Sequence, residues 1–285
     1  MRHGSIRKQE NKKPMFIIYT DLDGTLLDEN YSYEGAKEAV EELIKRGIPI
    51  VLCTSKTRKE VEVYRTQLGI KDPFISENGG AIFIESDYFE FDYRYDYELS
   101  SGGHKLKVIQ LGTKYEKLRR KLKEVEEEGK GRFKIRGFGD MSAEEIALDS
   151  GLSLKEAELS KMREYDEAFK IIVGEKERIR EKIEEKGLHF TIGTRYFHII
   201  GANDKGKAVE ILNALYKKKY PDIKTVGLGD SLNDLSMLHS VDIPVLVAKP
   251  GGRHEDIEGD RRIRNEEGVG PIGWRNAIED IILRI

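Results

Sequence analysis

The feature that most constrains the fold is a short apolar run followed at once by an acidic turn. Residues Met15 to Tyr19 are all apolar or aromatic, and Asp21-Leu22-Asp23-Gly24-Thr25 follows directly after Thr20. An unbroken run of strand-forming residues is typical of a strand that is buried on both faces of a parallel sheet. Gly24 permits a sharp turn after that strand. Because ligands bind at the carboxyl ends of such strands, the sequence predicts an α/β protein whose chemistry lies at that edge of the sheet.

Strand and helix patterns alternate in two separate parts of the chain. In the first part the predicted order is helix 34–46, strand 48–52, helix 56–68 and strand 73–76, and Gly47 and Gly69 end the two helices. In the second part it is helix 205–219, strand 225–229, helix 231–240, strand 243–247 and a closing helix that contains Trp274. This alternation predicts a Rossmann-like parallel sheet to which both parts contribute strands.

The stretch between these parts has a different pattern and is predicted to be an inserted α/β cap domain. It begins with the aromatic and acidic run Tyr88 to Tyr95, and we place a strand over Lys107 to Leu111 inside it. Two short helices in it have capping boxes, which pair Ser142 with Glu145 and Ser153 with Glu156. The predicted organisation is a disordered tail over residues 1–14, core residues 15–88, the cap over residues 89–200 and core residues 201–285.

Composition excludes several classes of protein. The 49 Lys and Arg residues nearly balance the 52 Asp and Glu residues, so the protein has no overall positive charge that would favour binding to nucleic acid. The apolar runs are far shorter than the roughly 20 residues of a membrane helix, and the basic first 14 residues lack the apolar region of a secretory signal. One cysteine excludes an internal disulfide, so we expect a cytoplasmic protein. The 35% of charged residues is typical of the ion-pair-rich surfaces of thermophile proteins.

Acidic residues follow two of the predicted strands. Asp21 and Asp23 follow the first strand, and Asp230 and Asp234 follow strand 225–229. Carboxylate oxygens are ligands for a hard cation such as Mg²⁺. A cation there would offset the repulsion between an anionic nucleophile and a phosphate group. The plainer alternative at each position is a turn or a helix cap that binds no ligand.

Two further polar positions lie at ends of predicted elements. Thr54-Ser55 follows strand 48–52, where hydroxyl groups can donate to phosphate oxygens or simply cap the next helix. Lys205 begins a helix, and its ammonium group could neutralise charge that develops on a phosphoryl group. One lysine among so many carries little information by itself.

The four motifs together, in this order and at these strand ends, resemble the haloacid dehalogenase superfamily of phosphatases. The matching segments are Asp21-x-Asp23-x-Thr25, Thr54, Lys205 and Gly229-Asp230-x-x-Asn233-Asp234. The position of the insert after Glu77-Asn78-Gly79-Gly80-Ala81-Ile82 is similar to that of Cof-type members with an α/β cap. The resemblance extends over the whole chain from Met15.

This resemblance implies a role for each matched residue. It implies that Asp21 is the nucleophile that forms an aspartyl phosphate, and that Asp23 is the general acid and base. It implies that Mg²⁺ is bound by Asp21, by the backbone carbonyl of Asp23 and by Asp230, with Asp234 in the outer shell. Thr54 and Lys205 would hold the phosphoryl oxygens, and Lys205 would also restrain Asp21.

Finer motifs resemble the mannosyl-3-phosphoglycerate phosphatase subfamily. They are Cys53-Thr54-Ser55-Lys56-Thr57-Arg58, Ser76-Glu77-Asn78-Gly79-Gly80-Ala81, Arg163-Glu164-Tyr165-Asp166-Glu167 and Gly270-Pro271-Ile272-Gly273-Trp274. The resemblance implies hydrolysis of 2-O-mannosyl-3-phosphoglycerate to mannosylglycerate, a compatible solute of thermophiles. A phosphatase of the same superfamily that acts on sucrose phosphate or a hexose phosphate stays an alternative. The oligomeric state is left open.

Such a substrate carries a phosphate, a carboxylate and a sugar, so we expect cations and polar groups around it. The candidate substrate-binding residues are Ser55, Asn78, Gly79, Gly80, Arg163, Arg195 and His198. Arg132 and Arg136 could serve equally well as Arg163 or Arg195, and surface ion pairs or core packing are the plainer alternatives for the cap residues. Cys53 and Trp274 are interpreted as packing residues.

Overall fold

A computed structural model of the chain describes residues 15–193, 195–257 and 261–284. The expectation of a disordered tail over residues 1–14 therefore lies outside the described residues. Among the described residues, no helix combines the length and the apolar character that a membrane span requires.

The strands, in chain order, are β1 (Met15–Thr20), β2 (Ile50–Cys53), β3 (Phe74–Ser76), β4 (Ala81–Glu85), β5 (Tyr97–Ser101), β6 (His104–Gln110), β7 (Lys134–Gly137), β8 (Asp166–Val173), β9 (His189–Ile192), β10 (Phe197–Ile200), β11 (Ile223–Gly229), β12 (Ile243–Ala248) and β13 (Arg264–Val269). The helices are α1 (Lys37–Lys45), α2 (Arg58–Leu68), α3 (Tyr115–Glu128), α4 (Ala143–Ser150), α5 (Leu154–Ser160), α6 (Lys176–Glu185), α7 (Lys205–Lys219), α8 (Leu235–His239) and α9 (Pro271–Ile278), which continues as a π-helical turn over Glu279–Leu283.

In the described chain, nine strands form the larger sheet in the order β13-β12-β11-β1-β2-β3-β4-β6-β5. The strands from β13 to β3 are parallel, which confirms the α/β class and the predicted alternation. The sheet is not parallel throughout, however, because β4, β6 and β5 join its edge in antiparallel pairs. Short connections join β3 to β4 and β5 to β6, and only antiparallel pairs allow connections this short.

The strand that we placed inside the insert at Lys107 to Leu111 belongs to this larger sheet. It is β6, and Ile82 of β4 pairs with its Ile109. The aromatic run from Tyr88 also packs on the core, where Tyr88 and Phe89 contact the ring of Tyr216 on α7. The placement of residues 89–111 in the cap was therefore wrong, and the cap begins after β6. An antiparallel strand has the same sequence pattern in either sheet, so the pattern did not reveal which partner it takes.

The larger sheet is covered by helices on both faces. Ile17 and Ile18 are adjacent in β1 and point into opposite layers, as strand geometry requires. The layer that contains Ile18 includes side chains from α1, α2 and α9, whereas the layer that contains Ile17 includes side chains from α7 and α8. This arrangement leaves the carboxyl ends of β1, β2 and β11 open at one edge.

The cap is built on a smaller sheet with the order β7-β8-β10-β9 in the described residues. Phe169 of β8 packs in a cluster with residues of α3 and α6, while the preceding Ala168 packs in a cluster with residues of α4 and α5. The two capping boxes predicted for α4 and α5 are confirmed. The α4 and α5 side of the cap sheet contacts the core, since Tyr31 of the core packs against the same cluster as Ala168.

Candidate active site

The site is centred on three carboxylates at the ends of two neighbouring strands. Asp21 follows β1, and Asp230 and Asp234 follow β11, which pairs with β1 in parallel. All three side chains are buried, and one oxygen of each lies within 4.8 Å of the others. Gly24 allows this approach, because a Cβ atom there would lie 2.8 Å from Asp230 Oδ2 and its φ is +79°.

Lys205 lies between two of these carboxylates. Its Nζ atom is 2.7 Å from Asp21 Oδ1 and 2.6 Å from Asp234 Oδ1, and the side chain is fully buried. Burial by itself lowers the pKa of Lys205, but Asp21 and Asp234 outweigh it and raise that pKa above its usual value. Lys205 is therefore a permanent cation whose position is fixed from both sides.

Asp234 organises the loop that carries Asp230. Its Oδ2 atom accepts hydrogen bonds from the backbone amides of Asp230 and Ser231, both at 3.0 Å. Since Lys205 binds its Oδ1 atom, both oxygens of Asp234 already have partners. Burial raises the pKa of Asp230 to about 7, and the nearby Asp234 carboxylate contributes to that rise.

The charge of this cluster fits a divalent cation. In this buried site the ammonium group of Lys205 pairs with Asp21 and Asp234, while Lys249 and Lys205 act on Asp230 without a direct ion pair. Buried carboxylates without compensating charge are costly. The set consists of oxygen ligands only, which hard cations such as Mg²⁺ prefer.

Asp23 is separate from this cluster and faces a cavity. Its side chain is partly exposed, and Lys56 Nζ lies 3.0 Å from its Oδ1 atom. Lys56 is buried and also lies 3.5 Å from Glu60 Oε1. Burial lowers the pKa of Lys56, but Asp23 and Glu60 outweigh it and raise that pKa.

Thr54 and Ser55 lie at the end of β2, as the sequence indicated. Thr54 is fully buried, and its Oγ1 atom accepts a hydrogen bond from the Lys56 amide at 3.2 Å. That bond leaves the hydroxyl hydrogen of Thr54 able to donate. The N-cap of α2 is Thr57, so Thr54 is not that helix's cap. Ser55 lines the cavity.

A cavity of about 350 Å³ extends from these carboxylates to the cap. The core contributes Asp21, Asp23, Lys56 and Asp230 to its wall. The cap and the later core loops contribute Arg163, Arg195, Tyr196, His198 and Lys249. The cavity thus joins an acidic end at the core to a wall that carries several cations.

Asp166 of the cap connects three of the residues singled out in the sequence. It is fully buried and binds Arg163 Nη1 at 3.0 Å, His198 Nδ1 at 2.8 Å and Asn78 Nδ2 at 2.7 Å. Burial opposes ionisation of Asp166, but His198 and Arg163 outweigh it and lower its pKa. Arg163 Nε is buried and has no hydrogen-bond partner in the described part of the chain. Asp166 therefore fixes Arg163 and His198 in the cavity wall.

Arg195 and Tyr31 close the outer rim of the cavity. Arg195 Nη1 and Tyr31 Oη both donate to the Ser150 carbonyl oxygen, at 2.6 and 3.0 Å. Arg195 Nη2 also donates to the Glu29 carbonyl oxygen at 3.3 Å. These bonds join a core loop to the cap, so Arg195 already has backbone partners on both sides of the rim.

The remaining predicted binding residues lie outside the cavity wall. Gly79 and Gly80 are buried, where a Cβ atom would meet the Asp204 carbonyl oxygen and the Tyr165 side chain. Arg136 pairs with Glu145 on the surface, and Arg132 bonds to the Gly129 carbonyl oxygen. The structure therefore gives the two alternative arginines no part in this site.

Comparison with known proteins places this geometry in a family. A sequence model of the haloacid dehalogenase-like hydrolases matches residues 18–250, which include all four motifs. The chain belongs to this family. The hydrolase also resembles solved structures in fold. One is a subclass IIB sugar phosphatase of the superfamily, with a TM-score of 0.61 and 18% sequence identity. That match covers 93% of this chain and 98% of the other. A sucrose-phosphatase from a Synechocystis species has a TM-score of 0.57 at 15% identity, with 94% and 98% covered.

Curated relatives of the hydrolase confirm the finer resemblance. A protein of Methanococcoides burtonii named glucosyl-3-phosphoglycerate/mannosyl-3-phosphoglycerate phosphatase is 48% identical over 269 residues, which cover 93% of this chain and 97% of the relative. A mannosyl-3-phosphoglycerate phosphatase of Pyrococcus furiosus is 38% identical, with 94% and 99% covered. Identity at this level over nearly the full length means that this chain shares both the core and the cap with each of these relatives.

Sequence reasoning missed several residues of the hydrolase's site. Lys56 belongs to one of the finer motifs but was not predicted as a site residue, and neither were Tyr31, Lys249 and Asp166. The hydrolase has many surface lysines, so a buried one has no distinct sequence signal. The segment Arg163 to Glu167 did carry a signal, because it includes both Arg163 and the Asp166 that positions it.

Proposed function

We propose that this hydrolase removes the phosphate group from glycosides of 3-phosphoglycerate, with Mg²⁺ as cofactor. The observation that carries the proposal is one cavity that Asp21 and Asp230 line at the core and Arg163 lines at the cap. The sequence favours the mannosyl compound, and two relatives are named for the glucosyl compound as well. We propose both as substrates, with mannosylglycerate or glucosylglycerate and phosphate as products. A cytoplasmic location stays a prediction.

Asp21 and Asp230, together with the backbone carbonyl of Asp23, would hold the metal ion. Asp234 serves this site indirectly, since its oxygens bind Lys205 and the Asp230 loop. Bound there, Mg²⁺ would screen the negative charges of the nucleophile and of the phosphate group.

Asp21 attacks phosphorus in the proposed reaction. Lys205 binds Asp21 Oδ1 at 2.7 Å, which leaves Oδ2 to form the new bond to phosphorus. The bond from phosphorus to the glycerate oxygen breaks, and Asp23 gives that oxygen a proton. Asp23 then takes a proton from water, which attacks phosphorus and releases phosphate and the free Asp21 carboxylate. Lys56 holds Asp23 in place for both proton transfers.

Recognition of the rest of the substrate falls to the cap. The glycerate carboxylate is an anion, and Arg163 offers a buried guanidinium whose Nε is still available. His198 is bound to the same Asp166 and lies in the same wall. Polar side chains toward the rim, including Tyr31 and Tyr196, suit the hydroxyl groups of the sugar.

The test is phosphate release by the full-length protein from a panel of esters, with Mg²⁺ and with EDTA. The panel contains mannosyl-3-phosphoglycerate, glucosyl-3-phosphoglycerate, 3-phosphoglycerate, sucrose 6-phosphate and mannose 6-phosphate. We expect kcat/KM for the two glycosides to exceed that for the other esters by about 100-fold, because only they carry both a carboxylate for Arg163 and sugar hydroxyls for the rim. Preference for sucrose phosphate or a hexose phosphate would overturn the proposed substrate. Release that persists in EDTA would overturn the role of the metal ion.

A further inference from the structure

Trp274 is linked to the backbone of Asp21 by two hydrogen bonds in series. Its Nε1 atom lies 2.9 Å from Thr20 Oγ1, and Thr20 Oγ1 lies 2.8 Å from the carbonyl oxygen of Asp21. Trp274 and Thr20 are fully buried. An indole nitrogen can only donate, so the Thr20 hydroxyl must accept from Trp274 and give its own hydrogen to Asp21. The direction of both bonds is therefore fixed.

The segment Gly270 to Trp274 places the indole at this position. Gly268 and Gly273 let β13 and α9 approach backbone to backbone, since a Cβ atom on Gly273 would lie 2.3 Å from the Gly268 carbonyl oxygen. Pro271 occupies the first turn of α9, where its missing N–H costs nothing. The helix then presents Trp274 to the end of β1, and the indole nitrogen meets Thr20.

Asp21 is held at its other groups as well. The Asp21 amide donates to the Leu228 carbonyl oxygen at 2.9 Å, and its carboxylate binds Lys205. The carbonyl is the remaining backbone group, and it begins the peptide that turns the chain away from the strand. A shift of that peptide would rotate the whole Asp21 side chain.

We propose that Trp274 and Thr20 are positioning residues for the nucleophile. The indole fixes the hydroxyl, the hydroxyl fixes the carbonyl of Asp21, and the carboxylate of Asp21 is thereby aligned with phosphorus. This inference rests on the proposed function, because it assumes that Asp21 attacks phosphorus. It assigns Trp274 a part in the reaction that packing alone would not give it.

The test compares variants that differ by single hydrogen-bonding groups. Thr20→Val replaces the hydroxyl with a methyl group of similar size, Thr20→Ser keeps the hydroxyl, and Trp274→Phe keeps a buried ring without its N–H. We expect Thr20→Val and Trp274→Phe to lower kcat by about 10-fold with KM within about 2-fold, because small displacements of reacting groups slow the chemical step. Thr20→Ser should keep most of the activity. The double variant should be no slower than Thr20→Val, since both changes break one chain of bonds.

Tyr19→Phe is the matched control for a lost buried hydrogen bond. The Tyr19 hydroxyl lies on the same strand and donates to Asn213 Oδ1 at 2.7 Å, but it does not lead to Asp21. We expect this variant to lose stability without losing kcat. An equal fall of kcat in Tyr19→Phe, or unchanged kcat in Thr20→Val, would show that Trp274 has a structural role only.

Two readouts separate this inference from the proposed substrate. All variants are also assayed with p-nitrophenyl phosphate, so that a wild type that rejects the glycosides would overturn the substrate proposal and still test the hydrogen bonds. Trp274 is the single tryptophan of the chain, so its indole N–H gives one nitrogen-15 NMR signal. We expect hydrogen exchange of that N–H to be at least about 10-fold faster in Thr20→Val than in Tyr19→Phe. Equal exchange rates would contradict the hydrogen bond itself.

Discussion

Lys205 Nζ lies 2.7 Å from Asp21 Oδ1, and this buried ion pair spans two parts of the chain that are separated by the whole cap. It ties the residue that we propose as nucleophile to the first residue of α7. The pair also selects which carboxylate oxygen of Asp21 faces the substrate. Both the reactivity of Asp21 and the stability of the buried site therefore depend on this contact.

Replacing Lys205 with methionine should destabilise the protein and stop catalysis. The change leaves Asp21 and Asp234 buried without their cation, and breaking a buried pair in this way costs about 3–5 kcal/mol. Urea unfolding with and without Mg²⁺ measures the loss, and added Mg²⁺ should stabilise Lys205→Met more than it stabilises the wild type. Lys207→Met, an exposed position on the same helix, is the control and should change little. A Lys205→Met variant as stable as this control would contradict the assignment.

Replacing Lys56 with methionine should impair the protonation of the leaving group. Lys56 holds Asp23 at 3.0 Å, and proton transfer matters most when the leaving oxygen is a poor leaving group. We expect kcat/KM, which reports the steps up to departure of the leaving group, to fall at least about 10-fold for mannosyl-3-phosphoglycerate, but much less for p-nitrophenyl phosphate, whose leaving group needs no proton. Lys59→Met, in the first turn of α2 three residues further on, is the matched variant. Equal losses of kcat/KM on both esters would mean that Lys56 does not assist protonation of the leaving group through Asp23.

Replacing Arg163 with methionine should remove recognition of the glycerate carboxylate. Losing one partner of a buried charged contact typically costs about 2–5 kcal/mol, so we expect kcat/KM for mannosyl-3-phosphoglycerate to fall by about 100-fold. The same variant should act almost normally on a mannosyl glycerol phosphate, which lacks the carboxylate. Arg136→Met, at the surface pair with Glu145, provides the comparison. If both esters lose the same factor, Arg163 supports the fold of the cap rather than the substrate.

Glu77 should make the stability of the protein depend on pH. Its carboxyl accepts hydrogen bonds from the backbone amides of Glu164 and Tyr165 in the cap, and burial raises its pKa to about 8. The folded state therefore keeps this proton between about pH 4.5 and 8 while the unfolded state releases it, so this group lowers the free energy of unfolding as pH rises. In Glu77→Gln the free energy of unfolding should decrease less with rising pH than in the wild type. Thermal unfolding from pH 5 to 9 measures this difference.

Glu62 provides a control of opposite sign for this measurement. Burial opposes the ionisation of Glu62, but Lys59, Ser101 and Arg58 outweigh it and lower its pKa. Its contribution is present above the pKa of the unfolded chain and is lost as pH falls. Glu62→Gln should therefore weaken the protein at neutral pH more than at low pH. Parallel curves for Glu77→Gln and the wild type would contradict the role of Glu77.

The sequence predicted the acidic edge of the sheet because strand ends are local features. Asp21 and Asp230 each follow an apolar run, and parallel neighbours bring such ends together. The predicted bounds of α7 agree with the structure, because the amphipathic pattern there begins at a capping Asp204. The resemblance to the family then implied the catalytic and metal-binding roles of these residues, which their spacing in the sequence does not determine.

Features that depend on contacts between distant residues were not predictable in the same way. The strand β6 has an ordinary strand pattern, and only its pairing with β4 shows that it belongs to the core. Lys56 and Asp166 lie in the finer motifs, but in a chain with 35% charged residues nothing in those motifs shows that the two side chains are buried in the site. The bond from Trp274 to Thr20 joins residues 254 positions apart, and no periodicity indicates it.

The central claim is that Asp21 accepts the phosphoryl group of a 3-phosphoglycerate glycoside. The most direct measurement is rapid acid quenching of the protein during turnover of mannosyl-3-phosphoglycerate with Mg²⁺, followed by mass spectrometry of its peptides. We predict a transient phosphorylated peptide that contains Asp21 and that is absent from Asp21→Asn. Phosphate release without any such peptide, or release that continues in Asp21→Asn, would contradict the account.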